Sequence, residues 1–390
     1  MTDRLFTETL RAAVGADLLS SRLSEEFVFA DIGAGAVAPL LDFEALGELL
    51  STRPLGPPRL RLHREGRPVP AARYATSGAG ETRVRPEDLY RELREGASLV
   101  LDGIDRLHPP IRAAADDLMR LVREQVQVNL YLIWGDSHGF DTHWDDHDTF
   151  IVQVAGAKSW QVHGQGSRPY PMKVDTDHSH TPPDGVVWEG TLRPGQVLHV
   201  PRGWWHTVTG AGTVSMHLTF GFTRATGVDW VRSLLDRLHD VEAMRRDLPR
   251  FATPEERRKH HHELVSRLVD LAERHDLDAF LAERDARFPR RRSFSLPWAV
   301  EDTPPGPDNR VEYAPILPPR LEEEGDKVAL TVAGRRYRLP AAAAPVLAEL
   351  GRTRSATVAE LAERCALPSA TVADLVRVLA RHHLVVVGGR

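Results

Sequence analysis

The spacing of apolar residues changes several times along the first third of the chain. Between residues 6 and 55, and again between 86 and 125, apolar side chains recur at helical spacing, which predicts amphipathic helices. The intervening stretch 57–80 alternates apolar and polar residues around Glu65-Gly66, which favours two short strands joined by a turn. This order indicates an α+β fold and not the regular alternation of a Rossmann domain.

Residues 126–222 have a different pattern. Short runs rich in Val, Leu, Ile, Tyr and Trp are separated by clusters of Gly, Pro, Asp and Ser, at intervals of about ten residues. Such spacing predicts a β-sandwich or barrel, and the number of runs suits a jelly roll. The seven strand candidates are VQVNLYLIW, DTFIVQVAG, KSWQVHG, GVVWEGTL, QVLHVPRG, HTVTG and TVSMHLTFGF.

The last third of the chain returns to helical spacing over 228–288. A stretch rich in Pro, Arg and Gly follows, which is typical of a linker, and VALTVAGRRYRLP then predicts a hairpin with its turn at Ala333-Gly334. Helices combined with such a β-wing resemble a winged helix. The amphipathic segments that complete it are 342–351, 357–365 and 369–382, before the strand-like LVVVGG.

Together these patterns predict four regions. The first holds the N-terminal helices and the jelly roll, the second is helical, the third is a linker and the fourth is winged-helix-like. Their predicted bounds are 1–225, 226–290, 291–320 and 321–390.

Composition narrows the class of protein. The chain has 390 residues, of which 42% are hydrophobic and 27% charged, with a net charge of -5, so a disordered or collagen-like protein is excluded. No apolar run approaches the roughly 20 residues of a membrane helix, and the N-terminus lacks the apolar core of a signal peptide. We therefore expect a cytoplasmic protein without membrane contact, and the mildly acidic balance argues against broad nucleic-acid binding.

A lone cysteine, Cys365, excludes an internal disulfide and a cysteine-based metal site, so any metal must be held by nitrogen and oxygen. His143 and Asp145 are two positions apart at the start of a predicted strand and project from one face. With His206 they would form two histidines and one carboxylate, the set that holds Fe(II) while leaving positions open for a co-substrate and dioxygen. A His-x-Asp pair with a distant His also occurs by chance in His-rich chains.

The surrounding residues resemble the Jumonji-C (JmjC) branch of the cupin superfamily, in its ribosomal-oxygenase-like subgroup. The first motif of that family is matched by Gly139, Phe140, His143, Asp145, Asp148, Phe150, Gln153, Gly156, Lys158 and Trp160. The second is matched by Leu192, Pro194, Gly195, Leu198, Pro201, Gly203 and His206, and the third by Ser215, His217 and Thr219. The resemblance implies a double-stranded β-helix core with flanking helices in a catalytic domain, whose specific motifs lie within 126–222.

The resemblance also implies the site. His143, Asp145 and His206 would be the catalytic residues that bind Fe(II), with 2-oxoglutarate and O2 as co-substrates. Lys158 would bind the distal carboxylate of 2-oxoglutarate; the alternative is a solvated lysine at a strand end. Asn129 and Tyr131 would line the co-substrate and substrate pocket, and Thr219 is a further co-substrate candidate, although alternating polar residues also mark a solvated strand face. His217 would lie near the metal, and His138 and His147 are interpreted as loop or surface residues.

The implied activity is a 2-oxoglutarate-dependent dioxygenase that hydroxylates an amino-acid side chain in a protein or peptide. Defined substrates of the family are histidine or arginine β-carbons of ribosomal proteins, but the segment SEEFVFADIGAG departs from the family pattern and leaves the target open. Alternatives are a tailoring hydroxylase of a peptidic or small natural product, an N-methyl-lysine demethylase, or a non-catalytic cupin regulator whose tail binds DNA or protein.

For the regions that follow the jelly roll, the resemblance implies a helical dimerisation region, hence a homodimer, and a tail that belongs to the binding of protein substrates. The third helix of that tail has Arg377 and Arg381 as its only arginines, so reading of the DNA major groove is poorly supported. The basic cluster at 287–292 is interpreted as a hydrated charge run beside the linker, with phosphate or acidic-peptide binding as the alternative.

Overall fold

The computed structural model describes residues 5–15, 17–23, 25–78, 80–135, 141–175, 181–301 and 303–388. The chain divides into two compact units, Met1–Arg224 and Ala225–Arg390. The predicted motif residues Gly139 and Phe140, and His138 beside them, lie outside the described residues.

The N-terminal unit combines short helices with a large antiparallel sheet. Its helices are α1 (Leu5–Val14), α2 (Ala34–Val37), α3 (Phe43–Thr52), α4 (Pro86–Arg94) and α5 (Pro109–Val122). Its strands are β1 (Val28–Asp31), β2 (Leu60–Arg64), β3 (Arg67–Pro68), β4 (Ala75–Gly78), β5 (Glu81–Val84), β6 (Ser98–Leu101), β7 (Val126–Ile133), β8 (Asp148–Gln165), β9 (Trp188–Leu192), β10 (Gln196–Val200) and β11 (Trp204–Phe222).

Local chemistry explains where these elements begin and turn. Helix α3 starts after Asp42, whose side chain accepts a hydrogen bond from the backbone N–H of Ala45 at 2.8 Å. Glu65 and Gly66 both have positive φ angles, 49° and 72°, as a two-residue hairpin turn requires. Helices α1, α3, α4 and α5 and the predicted turn are therefore confirmed, but strands β1 and β6 lie within the same ranges and were not predicted from the apolar spacing.

Among the described residues, nine strands join in one sheet that folds over itself as a jelly roll. Its order is β1-β10-β8-β11-β7-β6-β2-β3, with β9 added on β8. The sequence predicted seven separate strands between 126 and 222, whereas the structure has five: DTFIVQVAG and KSWQVHG are one strand, β8, and HTVTG and TVSMHLTFGF are one strand, β11. The predicted breaks were wrong because the intervening glycines form irregularities inside continuous strands.

Gly156 marks the bend that shapes this barrel. It has φ of +64°, and a Cβ atom there would lie 1.6 Å from the carbonyl oxygen of Val214, so only glycine fits. The bend also switches the phase of β8: Ile151 before it and Lys158 and Trp160 after it all line the same cavity. A simple alternation carried through the strand would have placed these side chains on opposite faces.

The C-terminal unit holds helices α6 (Gly227–Leu238), α7 (Glu242–Arg245), α8 (Pro254–Arg274), α9 (Leu277–Ala286), α10 (Ala343–Thr353), α11 (Val358–Arg364) and α12 (Ser369–Arg381). Its strands are β12 (Arg310–Tyr313), β13 (Leu321–Glu324), β14 (Lys327–Val332), β15 (Arg335–Pro340), β16 (Ser355–Thr357) and β17 (Val385–Gly388). No helix in the described part of the chain is both long and apolar enough to cross a membrane.

The C-terminal unit contains the elements that the sequence predicted, with one difference. Ala333 and Gly334 have φ of 52° and 75° and form the turn of the β14–β15 hairpin, and α10, α11 and α12 occupy the three amphipathic segments. Part of the predicted linker is structured, however: β12 is the central strand of the sheet β16-β12-β17. A Pro-rich composition concealed this strand because its four residues are too few to show alternation.

Candidate active site

Three potential metal ligands meet near the first residues of the two long strands, β8 and β11. One side-chain donor atom each from His143, Asp145 and His206 lies within 4.8 Å of the others. The backbones of the two histidines form a β-bridge. The distance from the nitrogen of His143 to the oxygen of His206 is 3.1 Å, and the distance of the reciprocal bond is 2.8 Å. The sheet therefore brings together residues more than sixty positions apart in the chain.

Further hydrogen bonds fix the loops that carry these ligands. The backbone N–H of Gly203 donates to the carbonyl oxygen of Asp145 at 2.9 Å. The carboxylate of Asp148, at the start of β8, accepts from the backbone N–H of Arg202 at 3.2 Å. Burial raises the pKa of Asp148 to about 6, because the charged form loses contact with water. The ligand-bearing loops are thus held to each other by backbone as well as side-chain contacts.

Both histidine rings are oriented by backbone carbonyls. The Nδ1 atom of His143 lies 2.7 Å from the oxygen of Asp141, and Nδ1 of His206 lies 3.1 Å from the oxygen of Trp204. Since a carbonyl oxygen only accepts, each Nδ1 carries the proton and each Nε2 carries the lone pair that a metal requires. The Nε2 atom of His206 is 3.7 Å from a carboxylate oxygen of Asp145.

The electrostatic environment keeps His206 neutral. The residue is buried, and desolvation, followed by the neighbouring His143, lowers its pKa to about 4. A neutral imidazole binds a cation without first losing a proton. At neutral pH this side chain is therefore ready to act as a metal ligand.

A cavity of about 200 Å³ extends from the three ligands into the barrel. Lys158 lies in its wall, only 7% exposed, and within the part of the chain that the structure describes no hydrogen bond or ion pair of its ammonium group is found. Burial lowers the pKa of this lysine to about 7. The alternative of a solvated strand-end lysine is wrong, because the side chain points into the barrel and not into solvent.

Aromatic rings form another wall of the cavity. Tyr131 stacks on His217 with ring centroids 4.9 Å apart, and Trp160 meets His217 edge-on at 5.7 Å. Burial, followed by the nearby Lys158, holds the pKa of His217 well below its usual range, so this ring is neutral. Thr219 lines the same cavity one pleat further along β11.

Asn129 does not line this cavity but faces a neighbouring polar cleft. Its side-chain oxygen accepts hydrogen bonds from the backbone of Gly103 at 3.0 Å and from the Gln127 amide at 3.1 Å. It also hydrogen-bonds with Tyr131, which lines both spaces. The structure therefore brings together all the predicted site residues except Asn129, which contacts the pocket only through its neighbour.

The cleft adjoins the cavity at Asp145 and is predominantly polar. Asp145, Tyr131 and Thr219 belong to both the cavity and the cleft, which are therefore contiguous. The residues that the cleft adds include Arg106, Gln125, Gln127, His147 and Thr223. Sequence reasoning missed most of these, although the alternation of polar residues on β7 could have indicated Gln127; Ser98, which lines the cavity from β6, gave no sequence signal.

The basic cluster at 287–292 is engaged within its own unit. Arg290 donates to the carbonyl oxygen of His382 at 2.7 Å, and Arg291 lies 3.3 Å from the Glu312 carboxylate. These contacts hold the segment against the C-terminal sheet. The interpretation of the cluster as a merely hydrated charge run is thus incomplete.

Comparison with known proteins agrees with the geometry. Residues 106–229, which include most of the jelly roll, match the family model of the JmjC domain. Over 202 residues, or 47% of the chain, the sequence is 30% identical to the bifunctional lysine-specific demethylase and histidyl-hydroxylase NO66 of Caenorhabditis elegans. Over 199 residues it is 28% identical to ribosomal oxygenase 1 of Rattus norvegicus. The chain matches about a quarter to a third of the length of these relatives, 25% and 33%.

Solved structures share the fold over most of the chain. Escherichia coli YcfD has a TM-score of 0.55 at 18% identity, covering 95% of this chain and 97% of that one. A second structure, described as the ribosomal oxygenase YcfD in complex with cobalt and 2-oxoglutarate, has a TM-score of 0.53 over 96% of this chain and 98% of that one, at 18% identity. The protein thus shares its fold with YcfD, and the sequence relatives named above are described as a ribosomal oxygenase and as a NO66 demethylase and hydroxylase.

Proposed function

We propose that this chain is an Fe(II)- and 2-oxoglutarate-dependent dioxygenase that hydroxylates an amino-acid side chain in a protein or peptide. One observation carries the proposal: a cluster of two histidines and one aspartate opens into a cavity whose wall contains a buried lysine. The three ligands alone would account for a metal site. The buried lysine in addition favours the binding of an anionic ligand in the same cavity.

The donor set fits iron. His143 and His206 present Nε2 atoms that do not face their backbone partners, and Asp145 presents a carboxylate; together they are the facial set of non-haem Fe(II) oxygenases. The chain has a single cysteine, so a thiolate-rich site is not available. We assign these three residues to the metal.

The cavity fits 2-oxoglutarate. A buried ammonium without an anionic partner is costly, and a ligand carboxylate would neutralise it. Tyr131 and Thr219 add polar groups between the lysine and the metal ligands, on one wall of the cavity. The structural neighbour YcfD has been described in complex with 2-oxoglutarate, which supports the same co-substrate here.

In the proposed mechanism, the protein positions the reactants and excludes water. When bound, iron and 2-oxoglutarate would use dioxygen to hydroxylate a C–H bond, with release of succinate and carbon dioxide. Lys158 anchors the co-substrate, and the apolar side chains of Ile151, Trp160 and Val208 keep the inner cavity dry. The polar cleft beside Asp145 brings the target carbon to the metal, and no side chain needs to act as a general acid or base.

For the substrate, we infer a polar side chain of a protein or peptide. The cleft presents the amides of Gln127 and Asn129 and the guanidinium of Arg106, groups suited to a hydrogen-bonding target. The relatives are described as a histidyl-hydroxylase and a ribosomal oxygenase, which favours ribosomal-protein histidine or arginine. The description of NO66 also names lysine demethylation, so an N-methyl-lysine is the second candidate; tailoring of a natural product and a non-catalytic regulator have less support.

For the rest of the chain, we propose a catalytic domain over 1–225, a dimerisation region over 226–290 and a winged-helix-like domain over 321–390. Apolar side chains that are 40–57% exposed support the dimer; they are Val228, Val231, Leu235, Val265, Leu268, Val269, Leu277 and Leu281. Since β12 belongs to the C-terminal sheet, the linker is shortened to the residues before it. A cytoplasmic location remains part of this proposal.

The proposal is tested by turnover. The full chain, loaded anaerobically with Fe(II), is mixed with air, 2-oxoglutarate and peptides of ribosomal proteins, and succinate is measured together with peptide mass. We expect succinate and the gain of one oxygen atom on a peptide, both absent in His206→Ala. Formaldehyde release from an N-methyl-lysine peptide would instead identify the demethylase, and wild-type succinate no higher than that of the variant would contradict the proposal.

A further inference from the structure

The cavity extends from the metal ligands towards the bends of the two long strands. Strand β8 starts next to the metal ligands and bends at Gly156, and β11 leaves His206 and bends before Ser215, which is paired with Gly156. The bends of both long strands therefore lie together, away from the cluster. Lys158 stands just beyond this bend on β8.

Ser98 reaches the region of these bends from the neighbouring strand. Val100 of β6 pairs with Tyr131 of β7, so Ser98, two residues away, shares the inward face of that pair. It is next to Leu99, which pairs with Leu132, and thus lies level with Ile133 and with Ser215, the partner of Gly156. Ser98 and Lys158 both line the cavity, and the sheet register places both near the bends of the long strands.

The hydroxyl of Ser98 is buried without a hydrogen bond. The residue is 5% exposed, and its Oγ atom has no partner among the described residues. Buried hydroxyl groups are normally satisfied, so an orphan that faces a cavity points to a ligand. Ser215, in the same row of the sheet, accepts a hydrogen bond from the Gln153 amide at 2.9 Å.

We infer that the Ser98 hydroxyl donates a hydrogen bond to the distal carboxylate of the co-substrate, beside Lys158. This inference rests on the proposed 2-oxoglutarate-dependent function. A carboxylate has about four lone-pair sites, more than one ammonium fills, and a hydroxyl adds a donor without a second charge. The indole N–H of Trp160 also has no partner in the described part of the chain, but the Trp160 ring lies 5.7 Å from that of His206, towards the metal ligands.

Such a contact makes Ser98 a specificity-determining residue. It acts only on ligands long enough to place a second carboxylate near Lys158. 2-Oxobutyrate has the same 2-oxo acid group for the metal but no distal carboxylate. The contribution of Ser98 is therefore visible as a difference between these two ligands.

The test is calorimetric binding to the full chain loaded with Mn(II), which does not turn over 2-oxoglutarate. We expect Ser98→Ala to weaken 2-oxoglutarate binding by about ten-fold, the size of one hydrogen bond to a charged group, and to leave the affinity for 2-oxobutyrate unchanged. Ser215→Ala is the matched control: it removes a hydroxyl at the same level of the sheet and should not change either affinity.

The outcomes separate this inference from the proposed function. Ser98→Ala with wild-type 2-oxoglutarate affinity, while Lys158→Ala binds weakly, would overturn the role of Ser98 and leave the oxygenase intact. An equal loss for both ligands would show a packing effect and also overturn it. A wild-type protein that binds Mn(II) but not 2-oxoglutarate would refute the proposed function and this inference with it.

Discussion

Two buried serines show how the two units of this protein differ. Ser98 in the jelly roll and Ser295 in the C-terminal unit are each 5% exposed. Ser295 accepts a hydrogen bond from the backbone N–H of Val387 at 3.0 Å, whereas Ser98 faces a cavity and has no hydrogen-bond partner among the residues that the structure describes. The two serines are equally buried, but Ser295 holds its own unit together, whereas the hydroxyl of Ser98 is available to a ligand.

The same contrast applies to the two cores. The jelly roll buries Lys158, His206 and His217 around a cavity, while the C-terminal core surrounds fully buried aliphatic residues such as Leu347 and Leu379. Each apolar group buried in a core stabilises the folded state, whereas a buried charge without a partner destabilises it. The buried Lys158 therefore lowers the stability of the ligand-free jelly roll, and a bound anionic ligand would restore that stability.

The largest effect is expected from the apolar core. Leu347 is fully buried in α10, so Leu347→Ala should lower the free energy of unfolding of the C-terminal unit by about 2–5 kcal/mol, through lost burial and a cavity. Thermal and denaturant unfolding measure this change. Glu363→Ala, an exposed control on α11, should change stability by less than about 0.5 kcal/mol. If Leu347→Ala also altered 2-oxoglutarate affinity in the folded protein, the contrast between the units would fail.

A second prediction concerns Lys158→Met, which keeps the length of the side chain and removes its charge. Affinity for 2-oxoglutarate should fall by about 100-fold because the ligand carboxylate loses its buried partner. The ligand-free variant should nevertheless melt at a higher temperature than the wild type, since a buried unpaired ammonium is replaced by an apolar group. A variant that lost both affinity and stability would indicate a structural lysine instead.

The third prediction is a dependence on pH. Lys158 has a pKa of about 7 in the folded, ligand-free protein and 10.5 as a free side chain, so the unfolded chain binds more protons between these values. The contribution of this group to stability should therefore rise with pH across that window. In the same window 2-oxoglutarate affinity should fall by up to about ten-fold per pH unit, because the ammonium must regain its proton. Lys158→Arg stays charged and should bind 2-oxoglutarate without this slope.

The sequence identified the residues of the candidate site more accurately than the course of the strands that carry them. His143, Asp145 and His206 stood out because metal binding restricts residue types, and Lys158 because the family motif fixes its distance from them. The strand count failed because Gly156 was taken as a break, although it allows one strand to bend. Asn129 was placed in the pocket from the face it shares with Tyr131 and from the family resemblance, which give the face of a strand but not the space that a side chain reaches.

Ser98 could not have been found in the sequence. It is one polar residue before an apolar run, and serine is common in such positions. Its significance depends on the pairing of β6 with β7, a contact between residues about thirty positions apart that no local pattern encodes. The same holds for the bridge between His143 and His206, which the family motifs implied but only the sheet register places.

The most direct test of the proposed site is anaerobic titration of the Fe(II)-loaded protein with 2-oxoglutarate, monitored by visible absorption. Chelation of the co-substrate by the metal produces a weak charge-transfer band. We predict this band in the wild type, its absence in His206→Ala, and a need for far more 2-oxoglutarate in Lys158→Ala. A folded, iron-loaded wild type that shows no band at saturating 2-oxoglutarate would contradict the assignment of this chain as a 2-oxoglutarate oxygenase.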